Sequence, residues 1–191
     1  MVVDNESREN EGDLIMAGQF ATPEKLAFMI KHTSGLICAP MIQERCDTLA
    51  LPLMVPDNTD TFKTAFTVSV DFKLGTTTGI SAFDRAATIR ALADPTITDP
   101  DMFTRPGHVF PLRAVQGGVL KRPGHTEAAV DLCQLCGLEC VAVICELTTE
   151  DGMGMLRRDG CRTFAEKFGL GMISIEQLIQ YRQHLLASKS E

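Results

Sequence analysis

The sequence predicts an α/β (α+β) fold, a three-layer sandwich in which a mixed β-sheet carries helices on both faces. Strand and helix patterns alternate along the chain with short connections, which is typical of such sandwiches. The chain has 191 residues, 45% of them hydrophobic, enough for one substantial core. We therefore expect a single domain over residues 1–191, with functional residues on the turns between its elements.

The chain up to residue 72 contains one helix pattern and two strand patterns. Thr22-Pro23 is typical of a helix start, and Gly35 can end that helix. The apolar face of this helix consists of Leu26, Met29 and Ile30. An apolar run then predicts a buried strand over residues 36–41. Apolar and polar residues alternate over residues 66–72, which predicts a half-buried strand.

The chain after residue 72 contains three helix patterns and two strand patterns. Ser81 is typical of a helix N-cap, and Asp94-Pro95 ends that helix. A further helix is predicted over about residues 126–136. Ser174 and Gln177 match a capping box ahead of a last amphipathic helix. Central strands are predicted over residues 140–147 and 171–175.

Charge and composition exclude several classes of function. The formal net charge of -7 argues against nucleic-acid binding. The local basic patch of Arg105, Arg113, Lys121 and Arg122 instead predicts a small anionic partner. No apolar run approaches 18 residues, so no membrane span is expected. The odd number of seven cysteines, with no secretory segment before them, indicates reduced thiols and a cytoplasmic protein.

An acidic segment near the start of the chain is the strongest signal of chemistry. Five acids fall within ten residues: Asp4, Glu6, Glu9, Glu11 and Asp13. Two carboxylates about 4 Å apart repel each other by roughly 4 kcal/mol at an effective dielectric constant near 20. Such a cluster is therefore either solvated or neutralised by a cation, and its oxygen atoms suit Mg²⁺ or Mn²⁺. A solvated acidic turn is the alternative interpretation.

Two turns carry a histidine each. Residues 105–113 place His108 between two prolines, which predicts a rigid turn. His108 there is either a catalytic group or an ordinary surface residue. In residues 122–127, Arg122 and Thr126 lie at a helix start, where backbone amides can bind phosphate. His125 can ligate a metal through its neutral imidazole or be a solvated residue near the N-cap.

Three other features have an open functional interpretation. Glu146 ends an apolar strand, where partial desolvation favours a general base, although an ordinary strand-end acid is the alternative. The pair Cys133 and Cys136 lies at a predicted helix end, which favours core packing over redox or zinc chemistry. The run Thr76-Thr77-Thr78-Gly79 can bind phosphate or form a strand-to-helix turn.

Taken together, these segments resemble the 3,4-dihydroxy-2-butanone 4-phosphate synthase family. The resemblance rests on motifs spaced along nearly the whole chain. These are Arg8 to Asp13, Ser34-Gly35 with Cys38, Gly75 to Ser81, Asp84-Arg85, Pro106-Gly107-His108, Gly124 to Ala128 and Cys145-Glu146-Leu147. The resemblance implies conversion of D-ribulose 5-phosphate to L-3,4-dihydroxy-2-butanone 4-phosphate and formate, with Mg²⁺ or Mn²⁺ as cofactor, by a homodimer.

The resemblance also implies roles for individual residues. Glu9 and His125 are the expected metal ligands, and His108 and Glu146 the expected catalytic residues. The candidate substrate contacts are Arg8, Glu9, Asp13, Cys38, Thr78, Arg122, Gly124, His125, Thr126 and Glu146. The apolar residues 109–112 beside His108 suggest a surface for a second subunit, with Glu9 and His108 of one site coming from different chains.

The sequence departs from the family pattern at its start, at Ser7, where an acid is common, and at Lys63. It begins at Met1-Val2-Val3, inside the expected first strand, so we expect a single domain lacking the usual N-terminal helix. Lys63 replaces a usual glycine in the loop over residues 57–64. Two alternatives remain open, another Mg²⁺-dependent sugar-phosphate isomerase or aldolase, and a non-catalytic phosphate-binding paralogue. Release of formate would distinguish the synthase from another isomerase or aldolase. The acid–base groups of His108 and Glu146 argue against the non-catalytic paralogue, because a binding protein does not need them.

Overall fold

A computed structural model describes residues 1–188 and contains one seven-stranded sheet. The strands are β1 (Val2–Val3), β2 (Gly12–Ala17), β3 (Cys38–Met41), β4 (Val70–Phe72), β5 (Phe103–Arg113), β6 (Ala142–Glu146) and β7 (Ile173–Ser174). The α-helices are α1 (Pro23–His32), α2 (Gln43–Thr48), α3 (Ala82–Ala93), α4 (His125–Leu135), α5 (Arg158–Phe168) and α6 (Ile175–Ser188). Short 3₁₀ turns cover Gly18–Phe20, Pro100–Met102 and Gly118–Leu120.

The sheet is mixed and has the order β4-β5-β3-β6-β2-β1-β7. Its β3–β5 and β1–β7 pairs are parallel, and the remaining pairs are antiparallel. Apolar side chains of α1, α3 and α5 pack in one core cluster against one face. Those of α4 and α6 pack against the other face. The predicted three-layer sandwich is thereby confirmed.

Side chains along β6 alternate between the two faces of the sheet, and this alternation decides on which face the functional groups lie. Val141, Val143 and Cys145 belong to the cluster with α1 and α3, whereas Ala142 and Ile144 pack under α4. Glu146 follows Ala142 and Ile144 in this alternation and therefore points to the α4 face at the end of the strand. Cys38 of β3 also belongs to the α4 side. The candidate residues on neighbouring strands thus gather at one end of one face.

The helix starts agree with the sequence. The Thr22 hydroxyl accepts a hydrogen bond from the amide of Lys25 (3.3 Å), and that of Ser81 accepts one from the amide of Asp84 (3.0 Å). Ser174 and Gln177 form the reciprocal bonds of a capping box, 2.8 and 3.1 Å long. The helix α1 ends at His32, before Gly35, and the sequence pattern predicts neither α2 nor α5.

Two strand predictions need correction. Only Val70–Phe72 of the predicted strand over residues 66–72 belongs to a strand. Phe66 and Thr67 make only isolated bridges, to Leu112 and Leu53, and the β4–β5 register shifts between Val70 and Asp71. The predicted central strand over residues 171–175 is the two-residue edge strand β7, which pairs only with β1 among the described strands.

The predicted turn around His108 is wrong. His108 lies within β5, an eleven-residue strand that contains both flanking prolines. Pro106 is tolerated because it lies next to the register shift, where the ladder is interrupted. A Cβ atom on Gly107 would overlap the backbone of Val70, so only glycine permits this close approach. Within residues 1–188, no helix is both long and apolar enough to cross a membrane.

Candidate active site

A cavity of about 130 Å³ opens where β2 begins and β6 ends, beside the start of α4. Its wall includes Arg8, Glu9, Glu11, Asp13, Cys38, Thr64, Phe66, Leu112, Arg122, His125, Thr126, Ile144 and Glu146. Antiparallel pairing sets Asp13 directly opposite Glu146. Two acids in this relation repel each other, so the strand register itself creates an electrostatic demand for protons or cations.

His125, the first residue of α4, contacts the acidic residues of the cavity. Its Nδ1 atom lies 3.3 Å from Glu9 Oε2 and 3.8 Å from Asp13 Oδ1. The side chains of His125 and Asp13 are almost fully buried. A buried imidazole between two carboxylates is a group that can hold a proton or share a cation with them.

Burial and mutual charge shift the pKa values of these groups strongly. Burial, reinforced by Glu146 and Glu9, raises the pKa of Asp13 to about 7. Burial alone lowers the pKa of His125, but Asp13 and Glu9 outweigh it and raise that pKa to about 9. Burial likewise works against the charged form of Glu9, yet bonds from His125 and Arg8 lower its pKa. The site therefore attracts positive charge.

The donor atoms fit a divalent cation. Nε2 of His125 and Oδ1 of Asp13 are buried without a hydrogen-bond partner, which is unusual in folded proteins and is consistent with a bound ion. Among residues 1–188, one group of three ligating side chains is close enough to hold an ion, namely Asp4, Glu9 and His125, with ligand atoms within 4.8 Å of one another. This is a candidate metal site of nitrogen and oxygen donors.

Asp4 serves the acidic loop, defined here as residues 4–11, between β1 and β2. The Asp4 carboxylate accepts hydrogen bonds from the amides of Glu9 (3.0 Å) and Glu11 (2.9 Å) and from the Arg8 guanidinium (2.9 Å). Because both of its oxygens are already engaged, Asp4 organises the loop around Glu9. Nothing in the sequence separates Asp4 in this role from the other four acids of the segment.

The other end of the cavity carries a fixed guanidinium. Arg122 Nη1 donates to the buried Glu127 carboxylate at 2.5 Å, and its Nη2 donates to Phe62 O at 3.0 Å and to Thr64 Oγ1 at 3.2 Å. Thr126, in the first turn of α4, lines the same wall. A guanidinium beside a helix N-terminus can bind a phosphate group. Gly124 is the N-cap residue of α4 and does not line the cavity.

The loop over residues 57–64 lies against this site. The Arg8 guanidinium stacks on the Phe62 ring, 4.8 Å from its centroid, while Arg122 holds the Phe62 carbonyl. Lys63 has a φ of 54°, a left-handed conformation that glycine adopts more easily than lysine does. Its Nζ donates to Asn58 O at 2.7 Å. This lysine therefore closes the loop without a glycine.

Glu146 is held by a serine on the turn after α1. The Ser34 hydroxyl donates to Glu146 Oε2 at 2.7 Å and accepts a bond from the Leu36 amide at 3.3 Å. The backbones of Ser34 and Glu146 are also joined, at 2.8 Å. Burial raises the pKa of the neighbouring Cys38 thiol well above its usual range, so this cavity-lining cysteine is a neutral wall residue.

His108 and Thr78 lie outside the cavity of this chain. His108 is 42% exposed on β5, where its Nδ1 atom lies 2.7 Å from Asp71 Oδ2. Thr78 is exposed on the adjacent turn over residues 75–80. The amides of Thr77 and Gly79 in that turn bind the Asp84 carboxylate, so they are not free for phosphate. The turn interpretation of this segment is the one that fits.

Sequence reasoning missed several residues that orient the candidate groups. They are Asp71 for His108, Ser34 for Glu146 and Glu127 for Arg122. Asp71 occupies an ordinary polar position in the alternation over residues 66–72, and none of the three residues is next in sequence to the group that it holds. Two larger clefts, of about 520 Å³ each, contain neither His125 nor Glu146. Cys133 of α4 packs in the core, as predicted, but Cys136 is exposed, so the core-packing prediction is wrong for that residue.

A small cavity that gathers buried titratable groups with shifted pKa values at one end of a sheet is typical of an active site. The class that fold and site define is an α/β enzyme. A sequence model of 3,4-dihydroxy-2-butanone 4-phosphate synthase matches residues 1–181. The chain belongs to this family, and it is a lyase of riboflavin biosynthesis. Membership decides for the synthase against the two alternatives that the sequence left open.

Individual relatives support the assignment. The 3,4-dihydroxy-2-butanone 4-phosphate synthase of Schizosaccharomyces pombe is 55% identical over 95% of this chain and 89% of its own length. The riboflavin biosynthesis protein RibBA of Nocardia farcinica is also 55% identical, but this chain spans only 44% of it. A crystal structure of 3,4-dihydroxy-2-butanone 4-phosphate synthase in complex with two magnesium ions superposes with a TM-score of 0.92 at 52% identity, covering 96% of this chain and 89% of that one.

Proposed function

We propose that the cavity converts D-ribulose 5-phosphate to L-3,4-dihydroxy-2-butanone 4-phosphate and formate with a divalent cation. The observation that carries this proposal is the buried meeting of His125, Glu9 and Asp13, with two unpartnered polar atoms, opposite Glu146. The atoms of the substrate account for both products, so no oxidant or second substrate is needed. The reaction requires proton removal beside the ketone, a skeletal shift and loss of one carbon.

Glu9 and His125 are the proposed ligands of Mg²⁺, with Mn²⁺ as an alternative ion. The solved relative in complex with two magnesium ions supports this choice, as does the nitrogen and oxygen donor set. When bound, a divalent cation supplies positive charge that stabilises negative charge developing on neighbouring substrate oxygens. An imidazole ligates a metal only when neutral, so His125 must give up its proton first.

The basic residues of the cavity bind and orient the substrate in this proposal. Arg122, fixed by Glu127, and the start of α4 at Thr126 hold the phosphate, while Arg8 and Asp13 contact the sugar end. The remaining contacts proposed from the family pattern are Cys38, Thr78, Gly124, His125 and Glu146. Phosphate binding far from the reacting carbons helps to orient them, which lowers the barrier of each step.

Glu146 and His108 are the proposed acid–base groups. Each has a hydrogen-bond partner that fixes its orientation, Ser34 for Glu146 and Asp71 for His108. A positioned group of this kind typically accelerates a proton transfer by about 10²- to 10⁴-fold. His108 serves the cavity only if a second chain brings it there, because this chain's own His108 does not line the cavity.

The experiment that tests the metal proposal compares Glu9→Gln with Glu6→Gln. Both remove one charge from the acidic loop, but only Glu9 contacts His125, whereas Glu6 is exposed. Formate release from ribulose 5-phosphate and Mn²⁺ binding are measured for both. We expect Glu9→Gln to lose both properties and Glu6→Gln to keep both. Full activity of Glu9→Gln in chelator-treated buffer would contradict the proposal.

A homodimer is the proposed assembly, with Glu9 and His108 of each site from different chains. The prediction that residues 109–112 form the interface is wrong, because Val109 and Leu112 are buried in the chain's own core. Exposed apolar side chains near His108 support an interface instead, namely Leu74 (61% exposed), Ile80 (52%) and Phe83 (71%). A cavity that lacks His108 in one chain agrees with this arrangement.

Mixed dimers of Glu9→Gln and His108→Ser chains test this arrangement. If the two residues of one site come from different chains, each mixed dimer has one doubly damaged site and one intact site. Random exchange should then restore about a quarter of the wild-type activity. Confirmed exchange without formate release would mean that both residues come from the same chain.

We also propose a cytoplasmic location. All seven cysteines are free thiols, as expected for a reducing compartment. One relative, from Arabidopsis thaliana, is named as chloroplastic, so fractionation of the source cells is the deciding measurement. Activity confined to an organelle or to an oxidising compartment would contradict this location.

A further inference from the structure

We propose that Arg157 is a positioning residue that fixes Glu9 of the acidic loop for cation binding, an inference that rests on the proposed metal site. Arg157 Nη1 donates to the carbonyl of Glu9 at 2.8 Å and to that of Asn10 at 2.7 Å. The same guanidinium lies 4.0 Å from a Glu11 carboxylate oxygen. Arg157 thus reaches the acidic loop from the far end of the chain, 148 residues away from Glu9.

The acidic loop is held from both sides at the peptide that carries Glu9. On the inner side, the buried Asp4 carboxylate accepts the amides of Glu9 and Glu11. On the outer side, Arg157 binds the Glu9 carbonyl. Both polar backbone groups of Glu9 are therefore fixed, and its carboxylate reaches His125 at 3.3 Å. Removal of either clamp would let this side chain move away from the ligating imidazole.

The backbone between the two clamps adopts a conformation that needs support. Asn10 has a φ of 54°, in the left-handed region that most residues avoid. The carbonyl of this residue is one of the two that Arg157 binds. Its amide donates to Asn5 O at 3.2 Å. Without Arg157, the Asn10 carbonyl loses its partner, and the loop can relax to commoner backbone angles.

The position of Arg157 in its own helix is unfavourable, which points to a role outside the helix. Arg157 is the N-cap of α5 and forms no side-chain cap bond, and Arg158 is the first helical residue. Helix N-termini favour Ser, Thr, Asp or Asn at the cap and repel cations through the helix dipole. Arg158 also contacts the acidic loop, donating to Asp4 O at 3.2 Å. A local rule broken in this way is expected at functional positions.

Arg162 supplies a matched control. It lies on α5 a little more than one turn after Arg157, is exposed, and forms no hydrogen bond or ion pair with residues 4–11 in the described part of the chain. Arg162→Gln removes the same charge from the same helix and leaves the loop contacts unchanged. Arg157 itself is 54% exposed, so Arg157→Gln should fold normally. Arg157→Lys keeps the charge and a nitrogen with several N–H donors, but its shorter side chain does not place that nitrogen where Nη1 lies.

The experiment measures Mn²⁺ affinity, without substrate, for wild type, Arg157→Gln, Arg157→Lys, Arg162→Gln and Glu9→Gln. Supporting contacts of metal ligands typically contribute about 10- to 100-fold to affinity, so Arg157→Gln should bind Mn²⁺ at least about tenfold more weakly. Arg157→Lys should recover only part of this loss, and Arg162→Gln should match wild type. In the metal-free protein, amide hydrogen exchange at Glu9 and Glu11 should accelerate in Arg157→Gln alone.

Three outcomes would each overturn one of the two claims, the positioning role or the metal site. If Arg157→Gln and Arg162→Gln both keep the wild-type Mn²⁺ affinity and the wild-type exchange rates, Arg157 does not position the loop. Unchanged affinity in Glu9→Gln would instead contradict the proposed metal site, while the exchange rates would still test the clamp. Equal loss in Arg157→Gln and Arg162→Gln would mean that only the positive charge of α5 matters, which also overturns the positioning role.

Discussion

His108 and Asp71 form a two-point contact across neighbouring strands. Asp71 Oδ1 accepts the backbone amide of His108 at 2.8 Å, and Asp71 Oδ2 lies 2.7 Å from the ring Nδ1. This carboxylate therefore fixes the ring and selects the tautomer that leaves Nε2 available for proton transfer. We predict that Asp71→Asn lowers kcat by at least about tenfold, with little change in KM, because a misoriented ring loses most of its acid–base contribution.

The matched control for Asp71→Asn is Asp101→Asn, at an exposed aspartate just before β5. It should leave both kcat and KM unchanged. Steady-state formate assays on the two variants, with circular dichroism to confirm folding, make the comparison. An effect on KM alone would make Asp71 a substrate-binding residue and remove its orienting role.

Gly79 should be essential for the contact between His108 and Asp71. It has a φ of 94°, and a Cβ atom there would overlap Asp71 Oδ2 and lie 2.6 Å from His108 Nδ1. Gly75, on the same turn with a φ of 72°, has open space within 4 Å of the point where a Cβ atom would lie. Alanine in the left-handed region costs about 1–2 kcal/mol at either position, and the overlap with Asp71 should make the loss of stability larger in Gly79→Ala.

Only Gly79→Ala should displace the His108 and Asp71 side chains and abolish most of the activity. Melting temperatures and kcat for Gly79→Ala and Gly75→Ala separate backbone strain from damage to the pair. Comparable kcat values in the two variants would contradict a tight turn packed on His108.

Ser34 should affect catalysis through Glu146. Its hydroxyl accepts from the Leu36 amide and donates to Glu146 Oε2, which fixes the direction of the donated proton. A hydrogen bond to a charged group is worth about 1.5 kcal/mol or more, so Ser34→Ala should lower kcat by roughly tenfold. Ser34→Thr keeps the hydroxyl and should recover most of the activity.

Thr33→Val is the control that shows whether Ser34→Ala acts merely by loosening the turn after α1. The Thr33 hydroxyl bonds Met29 O at 2.6 Å and the Gly35 amide at 3.3 Å, without touching Glu146. Its loss should reduce the free energy of unfolding but leave the pH profile of kcat unchanged. If both variants change kcat equally, Ser34 acts only by stabilising the turn.

The sequence predicted those parts of the fold that follow from local chemistry. Thr22, Ser81 and Ser174 marked helix starts because each cap forms its bond within three residues. The extended backbone at His108 escaped prediction, because the register shift that tolerates Pro106 depends on contacts with β4, more than thirty residues earlier. The edge position of β7 likewise depends on pairing with β1 at the other end of the chain.

The same distinction applies to the candidate site. The acidic loop and the helix start at His125 are local signals, and the structure brings them together as expected. Asp13 faces Glu146 only through strand register, and Ser34 reaches Glu146 across 112 residues of sequence. Long-range pairing of this kind leaves no periodic pattern in one sequence, so Asp71, Ser34 and Arg157 appeared only with the structure.

Asp84 should make the stability of the chain depend on acid pH. Its buried carboxylate accepts the Thr77 amide (3.0 Å), the Thr77 hydroxyl (2.8 Å) and the Gly79 amide (3.0 Å). Burial alone would raise the pKa of Asp84, but the bonds from Thr77 and Gly79 outweigh it and lower that pKa below its ordinary value of 3.8. The turn beside His108 is thus held by an ionised group.

The sign of the effect follows from linkage. Because the folded state has the lower pKa, the stabilisation by Asp84 is fully present above about pH 4 and is lost as the pH falls through the folded pKa. Asp84→Asn should reduce the free energy of unfolding by about 2 kcal/mol near neutral pH, the value of a hydrogen bond to a charged group. The difference from wild type should shrink below pH 4, where wild-type Asp84 becomes protonated too.

Urea denaturation of wild type, Asp84→Asn and Asp57→Asn between pH 2.5 and 7 measures this dependence. Asp57 is exposed, so Asp57→Asn should follow the wild-type curve throughout. A deficit in Asp84→Asn that stays constant down to the lowest pH would mean that the charge of Asp84 contributes nothing and that only its shape matters. A deficit that narrows in acid, together with reduced kcat at neutral pH, would link the Asp84-held turn to the geometry of His108.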